Sequence, residues 1–292
     1  MTINMKLGEC TAVVDTMGGE LVSYRDKNGT EYIWGGDPKY WSGRNPLLFP
    51  IVGRLTDNLV NIDGNPYEMP QHGFARHSEF EVVDSKDNIV LLRLRENSTT
   101  LAQYPYRFEL LVRQELKANG FTTSFTVCNT DDKPIIFCIG AHTAFRVPLL
   151  RNERFEDYSV VFQKVENLES AALTSDGRID PMRTIPGLSN TNTIPLRHEL
   201  FDVDTLIFGG LRSRNVKLCH NIEGHGVKVD FSSFPILALW SMPHTDAPYL
   251  CIEPWMGSAA IDGESGDFAD KPYAITLPAG EGIKLGYTVT TL

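Results

Sequence analysis

The sequence predicts an all-β protein, built as one large antiparallel β-sandwich. Apolar and polar side chains alternate with a period of two in many segments, for example 227–231 and 283–289, a pattern typical of strands with one buried face. Turn-forming Gly, Pro, Asn and Asp residues interrupt the chain at short intervals. Helix signals are limited to one short turn at 98–103, which Ser98 would cap before Pro105.

The individual segments predict the order of these strands. A long hairpin is expected from Phe108 to Asn129, because two strand-like runs flank the turn Asn119-Gly120. Segment 134–139 is continuously apolar and indicates a buried strand. Segment 167–196 gives the weakest strand signal, and its Ser, Asp, Gly, Pro and Asn content predicts a long surface connection. Strand-like segments on both sides of it need partners, so we expect residues 1–292 to form a single domain.

Composition and motif content exclude several classes of partner. With 42% hydrophobic residues in 292, the chain can bury a large core, but its net charge of −10 argues against nucleic acid and membranes. No apolar run reaches the roughly 18 residues that span a bilayer, and the N-terminus lacks the apolar region of a signal peptide. The five scattered cysteines form no CxxC pair, which predicts buried free thiols and a cytoplasmic protein. No GxGxxG or GxxxxGK[ST] motif is present to cradle a nucleotide.

Two segments in the first quarter of the chain carry candidate binding residues. Arg54 follows an apolar run flanked by Pro46 and Pro50, which cannot donate to a β-ladder. Its guanidinium can present a forked donor to hydroxyls or to a carboxylate. His72 precedes a glycine, which allows close approach of backbone or ligand. Taken singly, each residue is more typical of a structural role: a surface ion pair for Arg54 and satisfied hydrogen bonds for His72.

Two further segments carry candidate acid–base groups. His142 follows the buried strand 134–139, where burial and neighbours can tune its pKa. Glu253 lies in an apolar, aromatic run, where desolvation would raise its pKa and make it a better base. Trp255 offers an indole that can stack on the apolar face of a pyranose. The structural alternatives are a core histidine bonded to backbone and a buried glutamate paired with an arginine.

Together these segments resemble the galactose mutarotase-like superfamily, and in particular its bacterial aldose 1-epimerase branch. The resemblance extends from about Gly18 to the C-terminus. The motifs that carry it are Arg54 after Phe-Pro-x-x-Gly, His-Gly-Phe-Ala-Arg at 72–76, Gly-x-His-x-Ala-Phe at 140–145 and Cys-Ile-Glu-Pro-Trp at 251–255. It implies a β-sandwich of the supersandwich type.

The resemblance also implies roles for individual residues. It implies that Glu253 and His142 are catalytic and that His72 and Arg54 bind sugar. An aspartate between the two catalytic residues is implied as well. Asp204 is the candidate, and Asp202 is the alternative two residues earlier. One departure is Thr143, where many relatives have proline after the histidine; this change is expected to leave the imidazole in place.

A sugar mutarotase of this kind moves protons only. The ring opens when O1 loses a proton and O5 gains one, the C1 aldehyde rotates, and closure reverses the transfers, so no cofactor and no metal are expected. We expect Glu253 to act as the base at O1 and protonated His142 as the acid at O5. His72, Arg54 and Asp204 would hold the ring hydroxyls by charge-assisted hydrogen bonds.

The sequence leaves other functions open. In a hexose-6-phosphate 1-epimerase, Arg76 with Arg54 or Arg44 would form a phosphate clamp. A sugar-binding protein without turnover fits the sandwich and Trp255. A metal hydrolase is disfavoured, because the histidines have no HxH or HExxH spacing. A glycosidase needs two carboxylates, and only Glu253 has a suitable setting. The sequence predicts neither which sugar is used nor the oligomeric state.

Overall fold

The computed structural model describes all 292 residues and is predominantly β. Strands account for 52% of the residues and helices for 8%, so the prediction of an all-β fold with large antiparallel sheets is confirmed. None of the helices has the length and apolar character needed to cross a membrane.

The strands are distributed along the whole chain. They are β1 (Thr2–Leu7), β2 (Cys10–Asp15), β3 (Glu20–Arg25), β4 (Leu47–Leu48), β5 (Leu59–Ile62), β6 (Asn65–Glu68), β7 (Glu81–Lys86), β8 (Ile89–Arg95), β9 (Phe108–Lys117), β10 (Gly120–Asn129), β11 (Ile135–Phe137), β12 (Ile139–Ala141), β13 (Thr143–Arg146), β14 (Tyr158–Leu173), β15 (Ile179–Pro195), β16 (Leu206–Gly209), β17 (Asn215–His220), β18 (Gly226–Asp230), β19 (Ile236–Trp240), β20 (Tyr249–Met256), β21 (Ile275–Leu277) and β22 (Gly282–Thr291).

Most strands belong to one antiparallel sheet of 15 strands. Its order is β4-β12-β20-β19-β16-β14-β17-β18-β22-β10-β9-β8-β7, with β13 also paired to β20 and β15 paired to β14. A second sheet, β1-β2-β3, lies against β8 and β9, and the pairs β11-β21 and β5-β6 are separate. The sheets enclose a continuous hydrophobic cluster of 69 buried residues.

The predicted hairpin at 108–129 is present as β9 and β10. Their register runs from Phe108 opposite Asn129 to Lys117 opposite Gly120. Inward-facing residues of β9 alternate with partly exposed ones along the strand, as the period of two predicts. Gly120 has a φ of +142°, and a Cβ placed there would lie 1.9 Å from the carbonyl oxygen of Val289. Close packing of β10 against β22 therefore requires glycine at this position.

The prediction of a surface connection at 167–196 was wrong. β14 and β15 form a long antiparallel hairpin across this segment, joined by a turn in which the Thr174 N–H donates to the Arg178 carbonyl at 2.8 Å. The register shifts at four places along the hairpin. Each shift changes which side chains face inward, so the sequence lacks a regular alternation although the backbone is paired.

The helical segments are short. The single α-helix, α1 (Ser98–Gln103), occupies the predicted place, but Asn97 caps it in place of Ser98. The Asn97 side chain accepts hydrogen bonds from the Thr99 and Thr100 N–H groups at 2.9 and 3.0 Å, which satisfies two donors of the first turn. The remaining helical turns are 3₁₀ and span Thr56–Asn58, Ala75–His77, Phe155–Asp157, His198–Phe201 and Phe268–Asp270.

All five cysteines are free. Cys10, Cys138 and Cys251 are buried, as predicted, whereas Cys128 and Cys219 are half-buried. The half-buried pair lies on strands, β10 and β17.

We expect Gly120→Ala to destabilise the fold by about 3 kcal/mol or more, because the new methyl group must displace backbone of β22. Gly280→Ala is the matched control. Gly280 also has a positive φ, +76°, but no atom lies within 4 Å of its Cβ position, so only the backbone cost of about 1 kcal/mol applies. Urea unfolding of both variants measures the difference, and equal losses would contradict the steric argument.

Candidate active site

The candidate site is built on β20, a buried strand in the main sheet. β20 pairs with β19 on one side and with β12 and β13 on the other. Alternate residues of a strand share a face, so Cys251, Glu253 and Trp255 point the same way. Pairing on both sides satisfies the strand's backbone groups, which leaves the side chains of this face for other roles.

Strand register brings His142 to Glu253. β12 pairs Gly140 with Trp255, and β13 pairs Thr143 with Ile252; the same register continued across the break between them puts His142 opposite Glu253. Side chains of directly opposed residues are neighbours on one face. The His142 Nε2 and the Glu253 Oε1 are 3.3 Å apart, and both side chains are buried. The sequence predicted that these two residues meet but could not give their register.

Burial sets the protonation of this pair. It raises the pKa of Glu253 well above its ordinary value. The neighbouring Trp255 indole N–H lowers this pKa, and the charge of Asp204 raises it. Burial lowers the pKa of His142 to about 3, and the charge of Arg76 adds to the fall. Both shifts favour the uncharged forms, a protonated Glu253 and a neutral His142, over the ion pair. The rise in the Glu253 pKa agrees in direction with the effect of burial expected from the sequence.

Aromatic side chains surround His142. Its ring centroid lies 4.7 Å from that of Trp41 and 5.6 Å from that of Trp240. The Trp34 indole N–H donates to the Trp41 carbonyl at 2.8 Å and fixes its loop. Sequence reasoning missed Trp41 and Trp240. One sequence signal could have pointed to Trp41. It forms an aromatic pair with Tyr40 and lies just before the segment that begins at Pro46 and leads to Arg54.

His72 is held by mutual hydrogen bonds with the segment before Arg54. Its Nδ1 accepts from the Gly53 N–H at 3.1 Å, and its backbone N–H donates to the Gly53 carbonyl at 2.8 Å. An acceptor role for Nδ1 puts the ring proton of a neutral imidazole on Nε2. Burial lowers the pKa of His72 well below its usual range, and the charges of His142, Arg76 and Arg54 lower it further. His72 therefore presents an N–H donor.

The backbone around His72 adopts an uncommon conformation. His72 has a φ of +65° and Gly73 a φ of +72°. A Cβ at Gly73 would lie 2.2 Å from the carbonyl oxygen of Phe49, so the glycine permits the two segments to touch. Strain of this kind at a non-glycine residue costs about 1–3 kcal/mol and is typical of functional sites.

The remaining predicted residues lie around the opening. Arg54 is exposed, with its Nη1 3.4 Å from the Asp176 carbonyl oxygen. Arg76 is half-buried, with its Nε 3.0 Å from Nε2 of His77. Asp204 is exposed and accepts a hydrogen bond from the Thr205 hydroxyl at 2.7 Å. Two basic groups and one carboxylate are thus available at the rim.

The structure separates the two candidate aspartates. Asp204 lines the same pocket as Glu253. Asp202 instead accepts from the His244 N–H at 3.0 Å and lies 3.1 Å from its Nδ1, in a separate surface depression. Of the two, only Asp204 can contact a molecule bound beside Glu253.

One pocket of about 460 Å³ brings all the predicted site residues together, and this volume is ordinary for a small-molecule site. Glu253, His142, His72, Arg54, Arg76, Asp204 and Trp255 line it. Sequence reasoning missed several other lining residues, which come from loops, from the end of β19 and from the tip of the β14–β15 hairpin: Tyr40, Trp41, Gln71, Ser175, Asp176, Gly177, Thr205, Trp240 and Met242.

Thr143, the residue that follows the histidine, is anchored by a buried hydrogen-bond network. Its hydroxyl contacts the Asn45 Oδ1 at 2.7 Å and the Tyr287 hydroxyl at 3.1 Å, and Tyr287 also donates to Asn45 at 3.0 Å. The His142 N–H donates to the Pro46 carbonyl at 3.1 Å. This buried network fixes the backbone on both sides of the imidazole without proline.

The large antiparallel β-sheets of this chain form the fold of a galactose mutarotase-like protein. The sequence profile of the family described as aldose 1-epimerase matches residues 1–284. The chain belongs to this family of sugar epimerases, within the galactose mutarotase-like superfamily.

Individual relatives agree with this assignment. The plasmid-encoded protein LacX of Lactococcus lactis subsp. lactis is 36% identical, with full coverage of both chains. The crystal structure of a galactose mutarotase related enzyme from Lactobacillus acidophilus superposes with a TM-score of 0.93 at 30% identity, covering 100% of this chain and 97% of that one. A provisionally assigned glucose-6-phosphate 1-epimerase from Cenchrus ciliaris is 27% identical over 50% of this chain and 47% of its own.

We expect Glu253→Gln to stabilise the fold relative to the wild type, increasingly as the pH rises above about 4.5, the ordinary pKa of glutamate. The unfolded glutamate ionises near its ordinary pKa of 4.5, whereas folded Glu253 keeps its proton to higher pH. At this site the folded wild type therefore keeps a proton that the unfolded chain has lost, so the Glu253 contribution to stability falls as the pH rises. Glutamine removes that loss, a gain of about 1.4 kcal/mol per pH unit until the folded pKa is passed. Urea unfolding at several pH values measures it.

Glu166→Gln is the control for this experiment. Glu166 is also buried, but its carboxylate accepts hydrogen bonds from the Ser213 N–H at 2.7 Å and hydroxyl at 2.6 Å, and these bonds lower its pKa despite the burial. The Glu166 side chain is ionised in both the folded and the unfolded state above pH 6.5. The stability lost in Glu166→Gln should therefore not vary with pH. A pH-independent effect of Glu253→Gln would contradict a raised pKa at Glu253.

Proposed function

We propose that the protein is an aldose 1-epimerase that interconverts the α and β anomers of a free hexose by general acid–base ring opening. The observation that carries the proposal is the contact of 3.3 Å between His142 and Glu253 in the wall of a pocket of about 460 Å³. Anomerisation needs one group that accepts a proton and one that donates it, within reach of two oxygens on the same carbon.

The groups around the pair suit a hexose. Trp255 would stack against the apolar C–H face of the ring, and the Nε2–H of His72 would donate to a hydroxyl. Arg54 and Arg76 would donate further hydrogen bonds, and Asp204 would accept one. These contacts would hold O1 and O5 at the catalytic pair, which is the orientation that makes proton transfer effective.

In the proposed reaction, Glu253 takes the proton from O1 and His142 delivers one to O5, which breaks the C1–O5 bond. The open aldehyde rotates about C1–C2, and closure returns both protons, so the pair ends as it began. The pair's single proton must lie on His142 when the ring opens. A hydrogen bond from O1 to Glu253, and one from His142 to O5, would favour that charged form. The reverse assignment, His142 as base and Glu253 as acid, starts from the uncharged forms that burial favours.

A hexose 6-phosphate is the second candidate substrate. It is supported by the two guanidinium groups at the pocket opening, Arg54 and Arg76, since arginine suits bidentate recognition of phosphate. The similarity to the Cenchrus ciliaris protein also supports it. The carboxylates of Asp176 and Asp204 at the same opening oppose a dianion, which favours the free sugar.

Polarimetry of freshly dissolved α-glucose and α-galactose should show faster mutarotation in the presence of the protein. A coupled assay of β-glucose 6-phosphate formation makes the matching measurement for the phosphosugar. A higher kcat/KM for free sugar supports the proposal, and a higher value for the phosphate would replace it with the second candidate. Binding of sugar with no acceleration would identify a carbohydrate-binding protein instead.

Variants of Glu253 and His142 should differ in their kinetic constants from variants of residues at the pocket opening. Glu253→Gln keeps shape and hydrogen bonding but cannot exchange the proton, so we expect kcat to fall about 10²-fold or more with little change in KM. His142→Asn should behave alike. Arg54→Ala should act mainly through KM, because its contacts are made in ground and transition states alike. A near-wild-type kcat in Glu253→Gln would exclude this residue as base and as acid.

A further inference from the structure

A thiol lies directly beside the acid–base pair. Cys251 is two residues before Glu253 on β20, faces the same side and is fully buried. It has no part in the proposed proton transfers. One ligand atom each from His142, Cys251 and Glu253 lies within 4.8 Å of the other two. The main sheet thus brings an imidazole, a thiol and a carboxylate to one point.

The spacing of these atoms is close to that of a tetrahedral metal site. Zinc–nitrogen and zinc–oxygen bonds near 2.1 Å put two such ligands about 3.4 Å apart, and His142 Nε2 and Glu253 Oε1 are 3.3 Å apart. A zinc–sulfur bond near 2.3 Å puts the sulfur about 3.6 Å from the other ligands. The Cys251 sulfur therefore has to approach the other two ligands by about 1 Å when an ion binds.

Two further atoms of the cluster have no hydrogen-bond partner. Nδ1 of His142 and Oε2 of Glu253 are both buried and unpartnered. These are not the two atoms that lie 3.3 Å apart, so they show only that neither group is held by a hydrogen bond elsewhere in the protein. A bound cation would draw charge from both groups, and its arrival would break no hydrogen bond to the rest of the protein. His142 and Glu253 also line the pocket, which gives an ion a path from solvent.

We propose that His142, Cys251 and Glu253 form a binding site for one thiophilic divalent cation, with zinc as the best fit. Three protein ligands would leave a fourth position that faces the pocket, open to water or to a sugar hydroxyl. The thiolate selects zinc or cadmium over magnesium and calcium, which prefer oxygen ligands alone. The bound ion occupies both groups of the acid–base pair, so it inhibits. This inhibition rests on the proposed function, whereas the binding does not.

Cobalt(II) and zinc chloride added to the purified full-length protein test the site. Cobalt should bind one per chain, with a thiolate-to-cobalt charge-transfer absorption, and zinc should displace it. Cys251→Ser should abolish the absorption and weaken zinc binding on the order of 100-fold, since a ligand is lost. Cys138→Ser is the matched control, because Cys138 is also fully buried but lies outside the cluster; it should bind as the wild type does. Cys251→Ala serves if the serine variant misfolds.

Inhibition supplies the second readout. Zinc should reduce mutarotation by the wild type and Cys138→Ser at concentrations that leave Cys251→Ser active. Cobalt binding without the thiolate absorption, or equal zinc affinity in Cys251→Ser, would overturn the proposal and assign binding to surface pairs such as His244 with Asp202. The absorption with no mutarotation in any sample would leave the metal site standing and reject the proposed function.

Discussion

The burial of a carboxylate at the centre of β20 is the constraint on which the rest of the site depends. Glu253 is 1% exposed, and no lysine or arginine pairs with it; the group within reach is the imidazole of His142. Removing such a group from water is costly. The large core offsets that cost, and the low dielectric that raises the pKa of Glu253 also lowers that of His142. One environment thus makes two groups of different chemistry share a proton.

The remainder of the site keeps this environment in place. β19 and the paired strands β12 and β13 hold β20 on both sides. Trp41 and Trp240 cover the imidazole, and the Thr143–Asn45–Tyr287 network fixes the chain next to it. Each contact either excludes water from the pair or prevents the imidazole from turning away, and both effects are needed for preorganised proton transfer.

Sequence reasoning identified site residues where the local composition alone indicates that a polar side chain is buried. A glutamate among apolar residues and a histidine after an apolar strand are informative because burial of either is costly, and both lie in the pocket. It failed where long-range geometry decides. The β14–β15 hairpin was missed because its register shifts remove the alternation, and Trp41 was missed because its loop reaches His142 only through the folded sheet. The protonation of the pair depends on the same burial, and no sequence pattern gives its depth.

The β14–β15 hairpin, which the sequence did not predict, affects how the pocket can vary between related proteins. Its tip, Ser175 to Gly177, contributes to the pocket wall but belongs to a turn outside the strands that carry Glu253 and His142. Insertions or exchanges at that tip can alter the pocket wall while the positions of Glu253 and His142 stay unchanged. The shape of this part of the pocket can therefore change independently of the strands that carry Glu253 and His142.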